Sequence, residues 1–304
     1  MSGAAASFTV AREEAGRRLD VLVAERMGVS RAEVARLIAA GDVVVEGAAA
    51  SKALRVQEGM VVRTPEAGEP EPLAAEDRPL RVVYEDEALL VVSKPAGLVV
   101  HPGPGHARGT MANALLTLGA AGGDPARPGI VHRLDAGTSG LMIVARGEDA
   151  HARLAAMLAA REVHRTYLAL VEGLPATETM TIDAPIGRSP RHRKRMAVVA
   201  GGKPAITDVA VIERHARTAL VRAEPRTGRT HQIRVHLAAA GHPVAGDPVY
   251  GRDRALALAL GLARPFLHAS ALSFAHPLTG APLGLEDPLP PDLEGALDRA
   301  RAVG

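Results

Sequence analysis

The 304-residue chain contains no cysteine and no tryptophan, and aromatic residues make up only 2% of it. Without cysteine, disulfides and thiolate metal sites are excluded, and a reducing, cytoplasmic setting is expected. Without many rings, the core must be filled by Leu, Val, Ile and Ala. Apolar residues reach 47%, enough for a sizeable core. No stretch of about 18 apolar residues is free of charge and proline, so no membrane span is expected. The opening MSGAAASFTVAREE lacks the apolar stretch of a secretory signal. Lysine is scarce, occurring only at positions 52, 94, 194 and 203, so arginine supplies nearly all the cation. Arginine's planar fork suits phosphates and base edges, although codon bias produces the same excess. The formal net charge is only +2, so where the arginines cluster says more than their sum.

The length suits one large domain and one small one. Residues 16–64 read as a compact unit. Leu19, Leu22 and Val23 share a helical face. Ser30 and Glu33 then form a capping-box pattern before Val34, Leu37 and Ile38. Gly41 is placed to end that second helix. Residues 42–47 and 60–64 read as short strands. Residues 65–79, Pro-rich and acidic, read as a linker. A larger domain is expected over 80–304, with strands at 81–84, 89–93, 141–145, 166–172, 206–213 and 218–224 and helices at 109–118, 149–160 and 231–241. The irregular alternation predicts an α+β domain with a mixed or antiparallel sheet.

One segment concentrates chemistry. In GIVHRLDAGTSGLMIVAR (129–146), an apolar run and a predicted strand enclose a polar loop holding His132, Arg133, Asp135, Thr138 and Ser139. Gly137 and Gly140 let its backbone turn. A carboxylate fixed between two buried elements, beside an arginine, is a candidate nucleophile or general base. An isolated Asp in such a turn would more often be an Asx cap. Motifs for bound cofactors are missing: there is no GxGxxG after a strand, no P-loop and no HExxH. His231 and His236 are five apart, which does not set both on one helical face for a metal.

The segment resembles the signature H-R-L-D-x-x-T-S-G of the RluA family of pseudouridine synthases. LLVVSKPAGLVVHPGPGHARGTMANALL (89–116) is similar to that family's first motif, especially in its RluD-like branch. HRTYLALVEG (164–173) resembles the second motif and RTGRTHQIRVHLAAAGHPVAGDPVYG (226–251) the third. FLHASALSFAHPLTG (266–280) resembles the closing segment. Residues 16–64 resemble the alpha-L RNA-binding module first known from a small-subunit ribosomal protein.

The resemblance implies a uridine isomerase acting on structured RNA, with large-subunit (23S) ribosomal RNA or an assembling ribosomal particle as partner and no cofactor. Another ribosomal site, transfer RNA, or a non-catalytic role in ribosome assembly are the alternatives. It implies Asp135 as the catalytic carboxylate, acting on the sugar or on the base, and Tyr167 as the active-site tyrosine. Arg234 matches the basic partner of the aspartate, with Arg229 a close rival. His132, Arg133, His231 and Gln232 are implied as RNA-contacting. Two positions depart from the family pattern: Arg165 where Lys is usual, and Ser93 where Asn is common. The most basic run, RSPRHRKR (188–195), lies between predicted strands and reads as a phosphate-binding loop. Replacing Arg191, Arg193, Lys194 and Arg195 together with Ala should weaken RNA binding and flatten its salt dependence, measured as the slope of affinity against salt concentration. An unchanged slope would return the loop to plain solvent.

Overall fold

The computed structural model describes residues 5–29, 31–66, 73–100, 108–192 and 195–302. Ser30, Arg193 and Lys194 lie outside the described residues. The chain divides into two compact units, Met1–Pro72 and Leu73–Gly304.

In the first unit, β1 (Ala5–Thr9) precedes two helices, α1 (Leu19–Met27) and α2 (Arg31–Ala40), and two strands, β2 (Val44–Val45) and β3 (Val61–Pro65). The three strands form one antiparallel sheet in the order β1-β3-β2. Strand β1 lies upstream of the 16–64 span, because an Ala- and Ser-rich stretch carries little strand signal. Leu19, Leu22 and Val23 are buried with Val34, Val43, Val45, Val56 and Val62, which puts the periodic face of α1 in the core. Gly41 follows α2 at φ +82°, a left-handed conformation that costs glycine little. Asp20 is buried and holds the guanidiniums of Arg18 and Arg31 at 2.9 and 2.7 Å. Its bond to Arg18 is the main reason its carboxyl falls to about 2. Two arginines are thereby fixed on this unit's surface.

The second unit runs β4 (Arg81–Glu85), β5 (Leu89–Lys94), α3 (Met111–Thr117), β6 (Ser139–Ala145), α4 (Glu148–Ala160) and β7 (His164–Glu172). It continues through β8 (Thr179–Asp183), β9 (Ile186–Arg188), β10 (Met196–Val198), β11 (Ile206–Arg214) and β12 (Thr218–Pro225). The last part comprises α5 (Gln232–Ala239), α6 (Arg254–Ala259), β13 (Leu267–Ala275), β14 (Pro282–Glu286) and α7 (Pro291–Ala302). Eight strands lie side by side in the order β4-β5-β6-β13-β7-β12-β11-β8, and β14 pairs with the end of β13. All pairings are antiparallel except β13 with β6, so the sheet is mixed.

Strands β5 and β6 are apolar along nearly their whole length because both faces are covered. Leu90, Val92, Met142 and Val144 pack with Met111 and Leu115 of α3 on one side. Leu89, Val91, Leu141 and Ile143 pack with Ala150 and Leu154 of α4 on the other. Upstream of β4, Ala74 and Glu76 are bonded to Asn113. This end of the acidic stretch is therefore tied to the second unit.

Strand β13, absent from the strands expected above, forks the sheet. Its start pairs with β6 through His268–Ser139 and Ala269–Gly140 alone, and its end pairs with β14. Gly140 sits at this junction with φ +113°, and a Cβ there would lie 2.2 Å from the Ala269 carbonyl oxygen. Both the conformation and the contact demand glycine. Gly140→Ala should cost roughly 3 kcal/mol or more. Urea unfolding of the variant, set against the wild-type chain, checks this; an unchanged midpoint would show that the junction yields freely.

Candidate active site

Asp135 begins the turn that leads into β6. The turn closes with the Thr138 N–H donating to the Asp135 carbonyl at 3.0 Å. From below, Lys94 is fully buried and donates from Nζ to the carbonyls of Pro95, Leu98 and Ala136. The Gly97 N–H donates to the same Ala136 carbonyl at 2.7 Å. Burial pulls the Lys94 ammonium down to about 8, and the nearby Arg264 guanidinium acts in the same direction. Arg264 donates to the Gly137 carbonyl and the Ser139 hydroxyl, and is itself held by Asp292 of α7. The loop thus rests on two cations that bind its carbonyls and the Ser139 hydroxyl.

The carboxylate faces a second element. Arg234 projects from the first turn of α5, and its Nη1 donates to Asp135 Oδ2 at 2.9 Å. The remaining edge of the guanidinium forms a two-point contact with Asp247, at 2.6 and 2.9 Å. Asp247 also accepts the N–H groups of Val249 and Tyr250. Burial alone would raise the Asp247 carboxyl, but Arg234 and these N–H donors outweigh it and hold it below the usual range. For Arg234, burial opposes the charge and the two carboxylates more than offset it, so its pKa is raised.

His231 closes the other side, with Nε2 at 3.9 Å from Asp135 Oδ1. It adopts a left-handed conformation, φ +57°, which is costly for a residue with a Cβ. Its Nδ1 meets the Tyr250 hydroxyl at 2.9 Å, and that hydroxyl accepts the Met196 N–H from β10. Burial pushes His231 below its usual value in spite of Asp135, so the ring is neutral at pH 7. Arg234 lies 5.1 Å over the Tyr250 ring.

Asp135, Arg234 and His231 line a cleft of about 420 Å³, together with Tyr167, Leu267, Ile130, Arg133 and Arg165. Tyr167 comes from β7 and is only 6% exposed. Burial raises its phenol, outweighing the opposing charge of Arg165 and helped by that of Asp135, so the hydroxyl stays protonated at neutral pH. Among the described residues, no three His, Asp or Glu side chains gather to hold a metal ion.

The geometry separates the residues singled out in the sequence. Asp135, Tyr167, Arg234, His132, Arg133, Arg229, His231 and Gln232 all border the cleft. Between the two rival arginines, Arg234 contacts Asp135, whereas Arg229 is exposed and its Nε bonds the Pro204 carbonyl. The expectation that Gln232 contacts RNA is corrected. Its oxygen accepts from Thr227 and Arg229, its nitrogen donates to Ile206 and Thr207, and no capacity remains for a ligand. Its work is to tie the 226–231 loop to β11. His132 is also partly structural, since Nε2 accepts the Ile143 N–H at 2.9 Å. Arg191 and Arg195 are exposed in the connection between β9 and β10. Asp247, Tyr250 and Lys94 were not singled out as site residues. Asp247 and Tyr250 lie in 226–251, where an Asp-Pro-x-Tyr run was the available signal.

The chain is similar to known proteins along its whole length. Residues 88–239 match the family model described as RNA pseudouridylate synthase, and residues 17–62 match the S4 domain. The uncharacterized RNA pseudouridine synthase YlyB of Bacillus subtilis is 42% identical, over 98% of both chains. The ribosomal large subunit pseudouridine synthase D of Nitrosomonas europaea is 45% identical over 97% of this chain and 87% of its own. Among solved structures, human RNA pseudouridylate synthase domain containing 1 superposes with a TM-score of 0.59 at 29% identity, covering 75% of this chain and 90% of that one. With an S4 domain ahead of a mixed-sheet catalytic domain, and a carboxylate–guanidinium pair in its cleft, the chain belongs to the RNA pseudouridylate synthase family.

Proposed function

We propose that the chain isomerises uridine to pseudouridine in large-subunit ribosomal RNA, with Asp135 as the catalytic carboxylate. The relatives named ribosomal large subunit pseudouridine synthase D support this substrate. The observation that carries the site is the 2.9 Å contact between Asp135 and Arg234 inside a cleft that also holds Tyr167. A cytoplasmic protein free of cysteine, meeting ribosomal RNA as free chain or assembling particle, fits the same reading.

In the isomerisation the N1–C1′ bond breaks and a C5–C1′ bond forms. The C5 hydrogen leaves as a proton and N1 gains one. Asp135 acts on the anomeric carbon or on the uracil ring, and either route needs a carboxylate held in a fixed direction. Arg234 fixes it, and Asp247 fixes Arg234. A uridine within folded RNA must first leave its stack, at a cost of a few kcal/mol. The Tyr167 ring offsets part of that by stacking on the extruded base. Its protonated hydroxyl suits hydrogen-bond donation rather than proton abstraction. Arg133 and Arg229, both exposed, are placed to meet phosphates at the rim. In the S4 domain, Arg18 and Arg31, held by Asp20, offer a second basic surface for RNA.

Tritium release from RNA labelled at uracil C5 tests the assignment. Wild type should release tritium, and Asp135→Asn should lower the rate by about 10³-fold or more while still binding RNA. Equal release by both proteins would refute the catalytic role. Asp247→Asn should slow the single-turnover rate by about 10²-fold through misdirection of Arg234, with the RNA dissociation constant unchanged. A loss confined to binding would show that Asp247 does not act through the pair.

A further inference from the structure

A pair of short strands is marginal in water by itself, so it depends on its anchors. Strands β9 and β10 are such a pair, three residues each, bonded antiparallel to one another and outside the large sheet. The base of this arm is tied down. Ile186 exchanges both backbone bonds with Lys203 at 2.9 Å, and its side chain packs with Ala205 and with Val235 of α5. The connection between the two strands carries Arg191 and Arg195, both exposed.

The outer strand has a further anchor. The Arg195 carbonyl accepts the Ser189 N–H at 2.9 Å, so it faces the β9 side. In a trans peptide the C=O and N–H point opposite ways, which turns the Met196 N–H away from β9. There it donates to the Tyr250 hydroxyl at 3.1 Å. The peptide unit that leaves Arg195 is therefore itself bonded to Tyr250. Tyr250 does not line the cleft, but it touches two residues that do. Its hydroxyl is 2.9 Å from His231 Nδ1, and the Arg234 guanidinium lies 5.1 Å from its ring centre. Its backbone N–H donates to Asp247 at 3.1 Å, and Asp247 in turn holds Arg234. The left-handed His231 needs such support, because nothing in its own backbone favours that conformation. One residue thus stands between the basic end of the arm and every group that braces Asp135 from α5.

We propose that Tyr250 is a positioning residue that couples capture of RNA by the β9–β10 arm to the aim of Asp135. The proposal rests on the reading of Asp135 given above. A phosphate held by Arg195 restrains the peptide whose N–H meets the phenol. The restrained phenol keeps His231 in its strained conformation and Arg234 over the ring, and these face the carboxylate. RNA seated on the arm therefore tightens the site that must act on it. Without the hydroxyl the arm keeps its charge and its base, and still binds phosphate, but its occupancy no longer reaches the carboxylate.

Tyr250→Phe retains the ring and removes the hydroxyl. At saturating large-subunit ribosomal RNA its single-turnover tritium release should fall about 10-fold, with the RNA dissociation constant within about 2-fold of wild type. Arg191→Ala combined with Arg195→Ala should weaken binding in both backgrounds. It should also slow the saturated rate of wild type about 5-fold, yet change that of Tyr250→Phe by less than about 2-fold. Effects that multiply independently, or a wild-type saturated rate indifferent to the arm, would overturn the proposal. A second measurement needs neither turnover nor a change at Tyr250. The chain has three tyrosines, so fluorotyrosine labelling gives three fluorine NMR signals, assigned with Tyr84→Phe and Tyr167→Phe. Saturation with an RNA stem-loop whose loop is all cytidine should move the Tyr250 signal in the wild-type chain. It should not do so in the Arg191→Ala, Arg195→Ala chain saturated with the same RNA. A signal that stays still in the first, or moves equally in both, sinks the coupling. Since this readout involves no chemistry, failure of the Asp135 assignment and failure of the coupling are separate results.

Discussion

One guanidinium shared by two carboxylates governs the site. Arg234 gives two of its N–H groups to the buried Asp247 and keeps one for Asp135, which is 17% exposed. The asymmetry matters. Asp247 is enclosed and bonded to backbone amides, so it sets the plane of the guanidinium. Asp135 receives a single contact and retains an oxygen turned to the cleft. A buried cation with one carboxylate partner would hold that partner tightly, while two partners divide its field. Asp135 is thus aimed without being consumed by its own support.

The rest of the unit serves that aim. The Asp135 turn is held by Lys94 and Arg264 through the Ala136 and Gly137 carbonyls and the Ser139 hydroxyl, so neither of these cations bonds the Asp135 carboxylate itself. Lys94 belongs to the end of β5 and Arg264 to the approach to β13, two strands far apart in sequence that flank β6. On the opposite wall, the cost of the left-handed His231 is offset by the bond to Tyr250 and by the placement of Arg234 one turn later.

Much of this was legible in the chain, for physical reasons. Strands β5 and β6 announce themselves as unbroken apolar runs because both faces are covered. The glycines around Asp135 mark a turn that needs unusual dihedrals, and Gly140 proves to have both a special φ and a backbone neighbour too close for any Cβ. What escaped were matters of distance and direction. Arg229 and Arg234 look alike in sequence, and only the turn into α5 separates the exposed one from the buried one. Gln232 reads as a polar binder until its four bonding positions are found filled. Strand β13 hides because HASALS mixes small and polar residues where it passes between neighbours. His132 reads as a ligand contact, yet half of its capacity completes a sheet amide.

The fork at β13 bears on how the molecule comes apart. The sheet's two flanks are joined there through two residue pairs between β6 and β13, and the Asp135 turn begins beside that seam. A fluctuation that parts the flanks need not melt either of them to displace the carboxylate. Amide protons around the turn would then exchange with solvent sooner than those in the middle of β5 or β12, and thermal inactivation would run ahead of the loss of secondary structure.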